Sequence, residues 1–227
     1  QGRQLRFEGA VGGAMPIVRA LGDGLSGDHV LRLDAILDGT SNSVLSKMES
    51  TGCTMDEAIA EACAAGFAES NPADDLDGVD AATKLSILCA LAFGVRVAPS
   101  AIETRTTARI GATEIAAARL RGGAVRQIAH AGYDRATRQL DAWVAPTFVR
   151  QGSLFASTSG PRNAAIITCQ YAGDVMLSGL AAGGDASAVA ILADVLAIAR
   201  DRAAIVPAPT LVSPAGVSGF SDSTLAE

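Results

Sequence analysis

The sequence has 227 residues, of which 49% are hydrophobic and 19% are charged, and its formal net charge is −6. This length and apolar content are typical of a globular protein that buries a sizeable core. The acidic balance and the scattered basic residues argue against a nucleic-acid partner, because phosphates attract clustered Lys and Arg. No apolar run is long enough to predict a membrane span, and the first residues do not resemble a signal peptide.

The cysteines and histidines carry little chemical signal. The four cysteines are spaced singly, without the CxxC pattern of a zinc site. We therefore expect reduced thiols and a cytoplasmic protein. The two histidines, His29 and His130, lie far apart in the sequence, and we interpret both as uninvolved in chemistry.

The first predicted element is a strand at residues 5–11, followed by Gly12-Gly13 and the first turns of a helix. Glycines at such a junction let a ligand approach the backbone closely, and the helix N-terminus offers unpaired N–H groups. The pattern is not GxGxxG and lacks the context of a nucleotide site. A plain tight turn and a ligand-binding turn are both open interpretations.

Residues 29–37 alternate in hydrophobicity and predict a second strand. Residues 38–42 predict a turn and a helix cap, ahead of a helix that begins at Ser43. A capping box formed by Thr54 and Glu57 predicts a further helix.

That helix is expected to end at Gly66, where the stretch GFAESNPADDLDGVDAATK begins. We expect the Asn-Pro step at Pro72 to hold a loop extended. The stretch contains five carboxylates within twelve positions and ends at Lys84.

Two members of this stretch have helical spacing. If a helix begins after Gly78, Asp80 and Lys84 lie one turn apart on one face, and Lys84 shares an apolar stripe with Leu88. Burial lowers the pKa of a lysine and a carboxylate raises it, so a lysine in such a setting can exchange protons near neutral pH. A solvated surface pair is the commoner alternative.

The second half of the chain alternates helices with pairs of strands. The predicted elements are a helix over 111–121, strand pairs at 125–131 with 140–145 and at 163–170 with 174–177, and a long apolar helix capped by Asp185. Residues 207–227 are expected to form a loop or tail. Together these elements predict an α+β fold, with a mixed or antiparallel sheet covered by helices on one face in two layers.

Five blocks of the sequence resemble, in family order, the catalytic region of homoserine dehydrogenases: FEGAVGGAMPI, ILDGTSNSVLSKM, GFAESNPADDLDGVDAATKLSIL, SGPRNAAI and GLAAGGDASAVAILADVLAIA. The third block is the most specific, and the resemblance favours the chemical interpretation of Asp80 and Lys84 over the surface pair. It implies that residues 1–206 form the substrate-binding and dimerisation domain, like the C-terminal domain of homoserine and related dehydrogenases. The family's N-terminal dinucleotide-binding domain is absent from these residues.

The resemblance implies a reversible interconversion of L-homoserine and L-aspartate 4-semialdehyde with NAD or NADP, in threonine, methionine and isoleucine biosynthesis. It also implies a homodimer with a small amino-acid substrate and without a nucleic-acid or membrane partner. Because the dinucleotide would bind through the missing domain, we expect this fragment alone to show little or no turnover.

The resemblance also assigns roles to residues at matching positions. Lys84 is the expected acid/base, and Asp80 is expected to hydrogen-bond the substrate hydroxyl and support the ammonium. The expected substrate-binding residues are Glu69, Asp75, Asp80, Gly39, Thr40 and Phe67. The expected cofactor-binding residues are Gly66, Glu69, Gly179 and Gly183. The positions that match a monovalent-cation site, expected to hold sodium, are Glu8, Val11, Gly13 and Met15.

The chain departs from the family pattern at two positions near the expected substrate. Phe67 stands where the family usually has tyrosine, and Asp38 replaces the usual Asn or Ser. A related enzyme acting on another amino-acid semialdehyde is therefore an alternative. A non-catalytic ligand-binding or assembly module of the same fold is another, although charged groups are costly to bury without a ligand.

Overall fold

The computed structural model describes residues 4–68, 71–181, 183–200 and 212–218. Within these ranges the α-helices are α1 (Ile17–Arg19), α2 (Gly39–Thr51), α3 (Met55–Ala64), α4 (Ala73–Leu76), α5 (Val79–Phe93), α6 (Ala112–Leu120), α7 (Leu154–Ser157) and α8 (Gly184–Arg200). The strands are β1 (Val30–Ile36), β2 (Glu103–Thr104), β3 (Gly123–Asp134), β4 (Gln139–Arg150), β5 (Arg162–Cys169), β6 (Gly173–Leu180) and β7 (Gly216–Ser218). Short 3-10 turns occupy Glu8–Ala10 and Pro99–Ala101, and a π turn occupies Ala20–Gly24.

The strands form one mixed sheet in the order β2-β4-β3-β1-β5-β6. The central pairs are antiparallel, and β3 and β4 pair along their whole length. Two parallel strands share the other edge of β4, because β7 pairs with residues 139–141 and β2 pairs with residues 143–144. The predicted strand pairs and the mixed sheet are confirmed.

The two faces of the sheet support two separate cores, because successive side chains of a strand point to opposite faces. On one face, Leu33 of β1 packs in a large cluster with Leu85 and Leu88 of α5. On the other face, Ile36 and Trp143 pack in a smaller cluster with Phe155 of the short helix α7. The main helical layer therefore lies on one face, as predicted.

Helix α2 follows β1 almost directly and contacts β3 and β5, the strands on either side of β1. Its N-cap is Asp38, whose Oδ1 accepts a hydrogen bond of 2.5 Å from the N–H of Ser41. The prediction that this helix begins at Ser43 was therefore wrong by four residues. Gly39 and Thr40 lie in the first helical turn rather than in a preceding turn.

The predicted boundaries of α3 and α5 are confirmed. The capping box is present, with Glu57 N donating to Thr54 Oγ1 at 3.3 Å and Thr54 N donating to Glu57 Oε2 at 2.8 Å. Gly66 and Gly94 follow the two helices with φ angles of 75° and 69°, the left-handed conformation that ends many helices.

The strand predicted at residues 5–11 is not formed. The carboxylate of Glu8 turns inward, and its two oxygens accept hydrogen bonds of 2.9 Å from the N–H groups of Val18 and Arg19. This inward turn is part of the 3-10 segment Glu8–Ala10 and anchors it to the start of α1, so the chain here folds on itself instead of extending.

The extended loop predicted at Pro72 is instead the one-turn helix α4. The carbonyl of Asp75 accepts hydrogen bonds from Ser41 Oγ at 2.8 Å and from Gln127 Nε2 at 2.9 Å. The carbonyl of Leu76 accepts two more from Thr107, at 2.8 Å from its N–H and 2.9 Å from its Oγ1. These contacts, distant in sequence, hold α4 against α2 and β3.

Part of the predicted C-terminal tail joins the sheet. β7 lies within it, and Val212 forms a bridge with Val95 beyond the end of α5. The rest of residues 207–227 lies outside the described residues.

Helix α8 is apolar and largely exposed. Its Asp194 accepts a hydrogen bond of 2.8 Å from Glu8 N, which ties the helix to the N-terminal turn. Asp185 lies in its first turn rather than at the cap. Even so, none of the described helices is long and apolar enough to cross a membrane.

Candidate active site

Lys84 and Asp80 lie on the first turns of α5 and form an ion pair, with 2.5 Å between Nζ and Oδ2. Lys84 Nζ also donates a hydrogen bond of 3.1 Å to the carbonyl of Leu37, at the end of β1. Three quarters of the Lys84 side chain is buried, since its exposed fraction is 25%. The ammonium is therefore fixed between helix and sheet and does not extend into bulk solvent.

A cavity of about 580 Å³ opens beside this pair. Its walls come from the start of α2, the segment after α3, α4, the start of α5, and Ala181 after β6. The predicted site residues that line it are Gly39, Thr40, Gly66, Phe67, Asp75, Asp80 and Lys84. The structure thus brings together residues that span more than forty positions of sequence.

The cavity walls are fastened to one another by hydrogen bonds between elements. Thr40 Oγ1 donates to the carbonyl of Phe67 at 3.0 Å, which joins α2 to the segment after α3. The bonds from Ser41 and Gln127 to the Asp75 carbonyl fix the opposite wall. Such cross-links hold polar side chains in place before a ligand arrives.

Asp38 contributes a third carboxyl to the site. Carboxyl oxygens of Asp38, Asp75 and Asp80 all lie within 4.8 Å of one another. Asp38 is only 4% exposed, and burial, reinforced by the charge of Asp75, raises its pKa to about 7. The hydrogen bond from Ser41 and the charge of Lys84 act in the opposite direction.

The sequence placed Asp38 in a predicted turn and helix cap and marked it as a departure from the family pattern, but it did not predict that Asp38 is buried or belongs to the site. Its position directly after an apolar strand and before a small-residue helix start is the signal that could have revealed a buried N-cap. The burial itself depends on α4 and α5 packing over it, which local sequence does not encode.

The turn after β6 approaches the site closely. A Cβ atom on Gly39 would lie 2.7 Å from Ala181 Cβ, and one on Gly13 would lie 2.3 Å from the Ala181 carbonyl oxygen. Only glycine fits these two positions without displacing Ala181. The turn therefore packs between the Gly12-Gly13 segment and the start of α2.

Three of the predicted substrate- and cofactor-binding residues lie elsewhere or outside the described residues. Gly179 packs against the backbone of Met15, where a Cβ would lie 2.9 Å from Met15 N, and it does not line the cavity. Gly183 has a φ of 113° and is also absent from the cavity lining. Glu69 lies outside the described residues.

The predicted cation-site residues share one tight segment. Val11 and Met15 are fully buried, and Gly13 packs against Ala181. Burial raises the pKa of Glu8, although the N–H groups of Val18 and Arg19 lower it in part. Both carboxylate oxygens already accept a backbone hydrogen bond, and each keeps a further lone pair that could meet a cation.

The fold has counterparts among solved structures. A homoserine dehydrogenase from Thiobacillus denitrificans superposes with a TM-score of 0.85 at 29% identity, covering 93% of this chain and 51% of that one. A hyperthermophilic archaeal homoserine dehydrogenase mutant, in complex with NADPH, superposes with a TM-score of 0.71 at 27% identity, covering 88% and 56%. The α+β domain is therefore of the homoserine dehydrogenase type.

The sequence comparisons agree. The family model described as homoserine dehydrogenase matches residues 16–196. A homoserine dehydrogenase of Mycobacterium bovis is 35% identical over 201 residues, which cover 87% of this chain and 46% of that protein. The chain belongs to the homoserine dehydrogenase family, and it spans about half the length of the curated relatives it matches.

Proposed function

We propose that this chain is the substrate-binding catalytic part of an oxidoreductase that interconverts L-homoserine and L-aspartate 4-semialdehyde with NAD or NADP. The observation that carries the proposal is the Lys84 ammonium, which Asp80 and the Leu37 carbonyl hold at the wall of an acidic cavity. A substrate with a cationic amine requires carboxylates, and a carbonyl that becomes an alkoxide requires a nearby proton donor. The cavity offers both.

In the proposed reaction, neutral Lys84 accepts the hydroxyl proton of homoserine, and its ammonium returns that proton to the carbonyl oxygen in the reductive direction. Asp80 hydrogen-bonds the same hydroxyl and holds Lys84 Nζ within reach. The nicotinamide, when bound through the dinucleotide-binding domain, supplies or accepts the hydride. Membership of the family and the relative in complex with NADPH support this cofactor class.

The two ends of the substrate have different partners in this proposal. Asp75, with Glu69, binds the amino group, while Gly39 and Thr40 meet the carboxylate at the start of α2. Helix N-termini favour anions because their first N–H groups are unpaired and their dipole is positive there. The enzyme would serve threonine, methionine and isoleucine biosynthesis in the cytoplasm, where its four cysteines, all free of disulfides, would stay reduced.

Calorimetry with L-homoserine tests the proposal. We expect Lys84→Met to weaken binding about tenfold, because a hydrogen bond to a charged group contributes about 1.5 kcal/mol. Lys47→Met is the matched control, since Lys47 forms a comparable pair with Glu61 on the surface, at 2.7 Å. If 4-hydroxybutyrate, which lacks the amine, bound as tightly as homoserine, the role given to Asp75 and Glu69 would be wrong.

A monovalent cation, sodium in our proposal, would bind near Glu8, Val11, Gly13 and Met15. Support comes from the buried carboxylate of Glu8 beside a compact backbone turn, which offers the oxygen ligands that hard cations prefer. Thermal stability should then increase more with NaCl than with tetramethylammonium chloride. An equal response to the two salts, or an unchanged difference in Glu8→Gln, would contradict the cation site.

A homodimer is the assembly that we propose. The sheet face opposite α5 supports it, because Met176 and Leu180 of β6 are exposed there by 57% and 48%. Exposed apolar side chains on an otherwise paired sheet are typical of an interface.

A further inference from the structure

Asp38 combines burial with access to the proposed substrate cavity. Its side chain is buried at the junction of β1 and α2, yet the residue lines the cavity beside Lys84. Its Oδ1 accepts the capping hydrogen bond from Ser41. Among the described residues, no hydrogen bond reaches its other oxygen, Oδ2, which leaves that atom free to carry a proton.

The charges that face Asp38 are Asp75 on α4 and Asp80 and Lys84 on α5. With all three carboxyls ionised, the cluster would hold three negative charges against one ammonium. A buried carboxyl among like charges stays neutral to higher pH, and the pKa of about 7 for Asp38 agrees with this geometry. When Asp38 is neutral, the ammonium of Lys84 pairs with Asp80, and the negative charge of Asp75 is not neutralised within this cluster.

A cationic amine that enters this cluster changes the balance. Its positive charge stabilises an ionised carboxyl within a few ångströms, so ionisation of Asp38 becomes favourable once the amine is bound. The proton then leaves to solvent, and the protein–ligand complex gains a further carboxylate near the amine. Proton release and amine binding are thereby linked.

We propose that Asp38 is a positioning residue for the substrate amine, which holds its proton in the free cavity and releases it when a cationic amine binds beside Asp75 and Asp80. This inference rests on the proposed function, because it places the amine of homoserine in the same cluster. It goes beyond that function by making substrate binding dependent on pH through a residue that does not take part in hydride transfer.

The first test is calorimetry of L-homoserine binding in two buffers with different ionisation enthalpies. At pH 7 we expect release of about half a proton per site, and about tenfold tighter binding at pH 8 than at pH 6, because only the ionised fraction of Asp38 binds the amine. 4-Hydroxybutyrate, which has no amine, should release none of this proton.

Two variants separate this linkage from the structural role of Asp38 as a helix cap. Asp38→Asn keeps a capping side chain but cannot ionise, so its binding of homoserine should be weak, without proton release and with little dependence on pH from 6 to 8. Asp38→Ala loses both the cap and the titration, and its loss of thermal stability measures the cap. Proton release by Asp38→Asn equal to that of the unmodified chain would overturn the proposal.

The second test does not depend on homoserine. Carbon-13 NMR of the aspartate carboxyls, with Asp38 assigned by its loss in Asp38→Asn, should show a titration midpoint close to 7 that falls when methylammonium is added. If the protein binds no homoserine but shows this response to methylammonium, the proposed function is contradicted and the Asp38 proposal is supported. A midpoint that methylammonium leaves unchanged overturns the Asp38 proposal.

Discussion

Two lysine–carboxylate pairs in this chain show how surroundings decide what an ion pair can do. Lys84 with Asp80 and Lys47 with Glu61 have similar Nζ–Oδ or Nζ–Oε distances, 2.5 Å and 2.7 Å. The Lys47–Glu61 pair lies at the surface, with side chains 34% and 59% exposed, and such a pair contributes about 1 kcal/mol or less. Lys84 also donates a hydrogen bond to the buried carbonyl of Leu37 and lines a cavity. Its charge can therefore interact with a ligand in that cavity.

The i, i+4 spacing of Asp80 and Lys84 was visible in the sequence because it depends on one helix alone. The third carboxyl of the cluster was not, because Asp38 meets Asp75 and Asp80 only after α4 and α5 have packed over the end of β1. Spacing within an element is local information, whereas the burial of a polar residue is a property of the packed structure.

Burial of Asp38 makes the stability of the protein depend on pH. Its pKa is about 7 in the folded state against an ordinary value of 3.8, so the fold favours the protonated form. The resulting destabilisation is absent below about pH 4, grows as the pH rises to 7 and is complete above it, with an upper limit of about 4 kcal/mol. Asp38→Asn should therefore gain stability relative to the unmodified chain as the pH rises from 4 to 8.

Urea unfolding at a series of pH values measures this difference. Asp134→Asn is a control of opposite sign, since hydrogen bonds from Thr137 and Ala136 lower the pKa of the exposed Asp134. Its stabilising effect is present above the ordinary pKa and is lost as the pH falls below 4, so this variant should show no trend between pH 5 and 8. A flat difference for Asp38→Asn over the same range would show that Asp38 is ionised throughout.

At the scale of elements, boundaries with local caps were predictable and those held by distant contacts were not. The capping box of α3 and the glycine after α5 are formed by residues within or directly beside the helices that they bound. By contrast, α4 is held by Gln127, 52 positions away from Asp75. The prediction of an N-terminal strand was wrong for the same reason, because the hydrogen-bond partners of the Glu8 carboxylate lie in α1.

Arg126 joins three elements through one buried guanidinium. Its side chain is 2% exposed, pairs with Glu49 of α2 at 2.7 Å and donates to the carbonyls of Ala156 and Thr158 around α7. Glu49→Ala should destabilise the fold by about 3 kcal/mol, because it leaves a buried charge without its counter-ion. Chemical denaturation measures this change.

The matched control for Glu49→Ala is Glu61→Ala, which removes the partner of Lys47 on the surface. We expect a change below about 1 kcal/mol for it. Equal effects of the two substitutions would mean that the carbonyl hydrogen bonds alone stabilise the buried guanidinium of Arg126, without a contribution from Glu49.

At the scale of the whole molecule, the composition and the alternation of elements were enough to predict an α+β fold with its main helical layer on one face. The order of the strands was not predictable, because β1 lies between β3 and β5, which are distant from it in sequence. Nor was the return of residues 216–218 to the sheet, since Pro, Ser and Gly in that stretch are typical of loops.

The proposed homodimer gives a prediction at this scale. Met176→Lys places a charge on the exposed sheet face and should convert the dimer to a monomer in sedimentation velocity, without a loss of secondary structure. Leu120→Lys is the control, because Leu120 is 90% exposed at the end of α6 rather than on the sheet. A dimer that persists in Met176→Lys would place the interface elsewhere.

The two margins of the sheet differ in a way that limits how chains can add to it. β6 forms one margin with eight residues in a row, whereas the other margin is β2 and β7, two and three residues long, laid end to end along β4. Backbone pairing between copies needs a long run of free donors and acceptors on both partners. Within the described residues only β6 supplies one, and its run ends before Leu180, whose carbonyl already accepts a hydrogen bond of 2.9 Å from Ala14 N. Strand-to-strand addition would therefore stop after two chains, a closed arrangement that cannot propagate into a fibre.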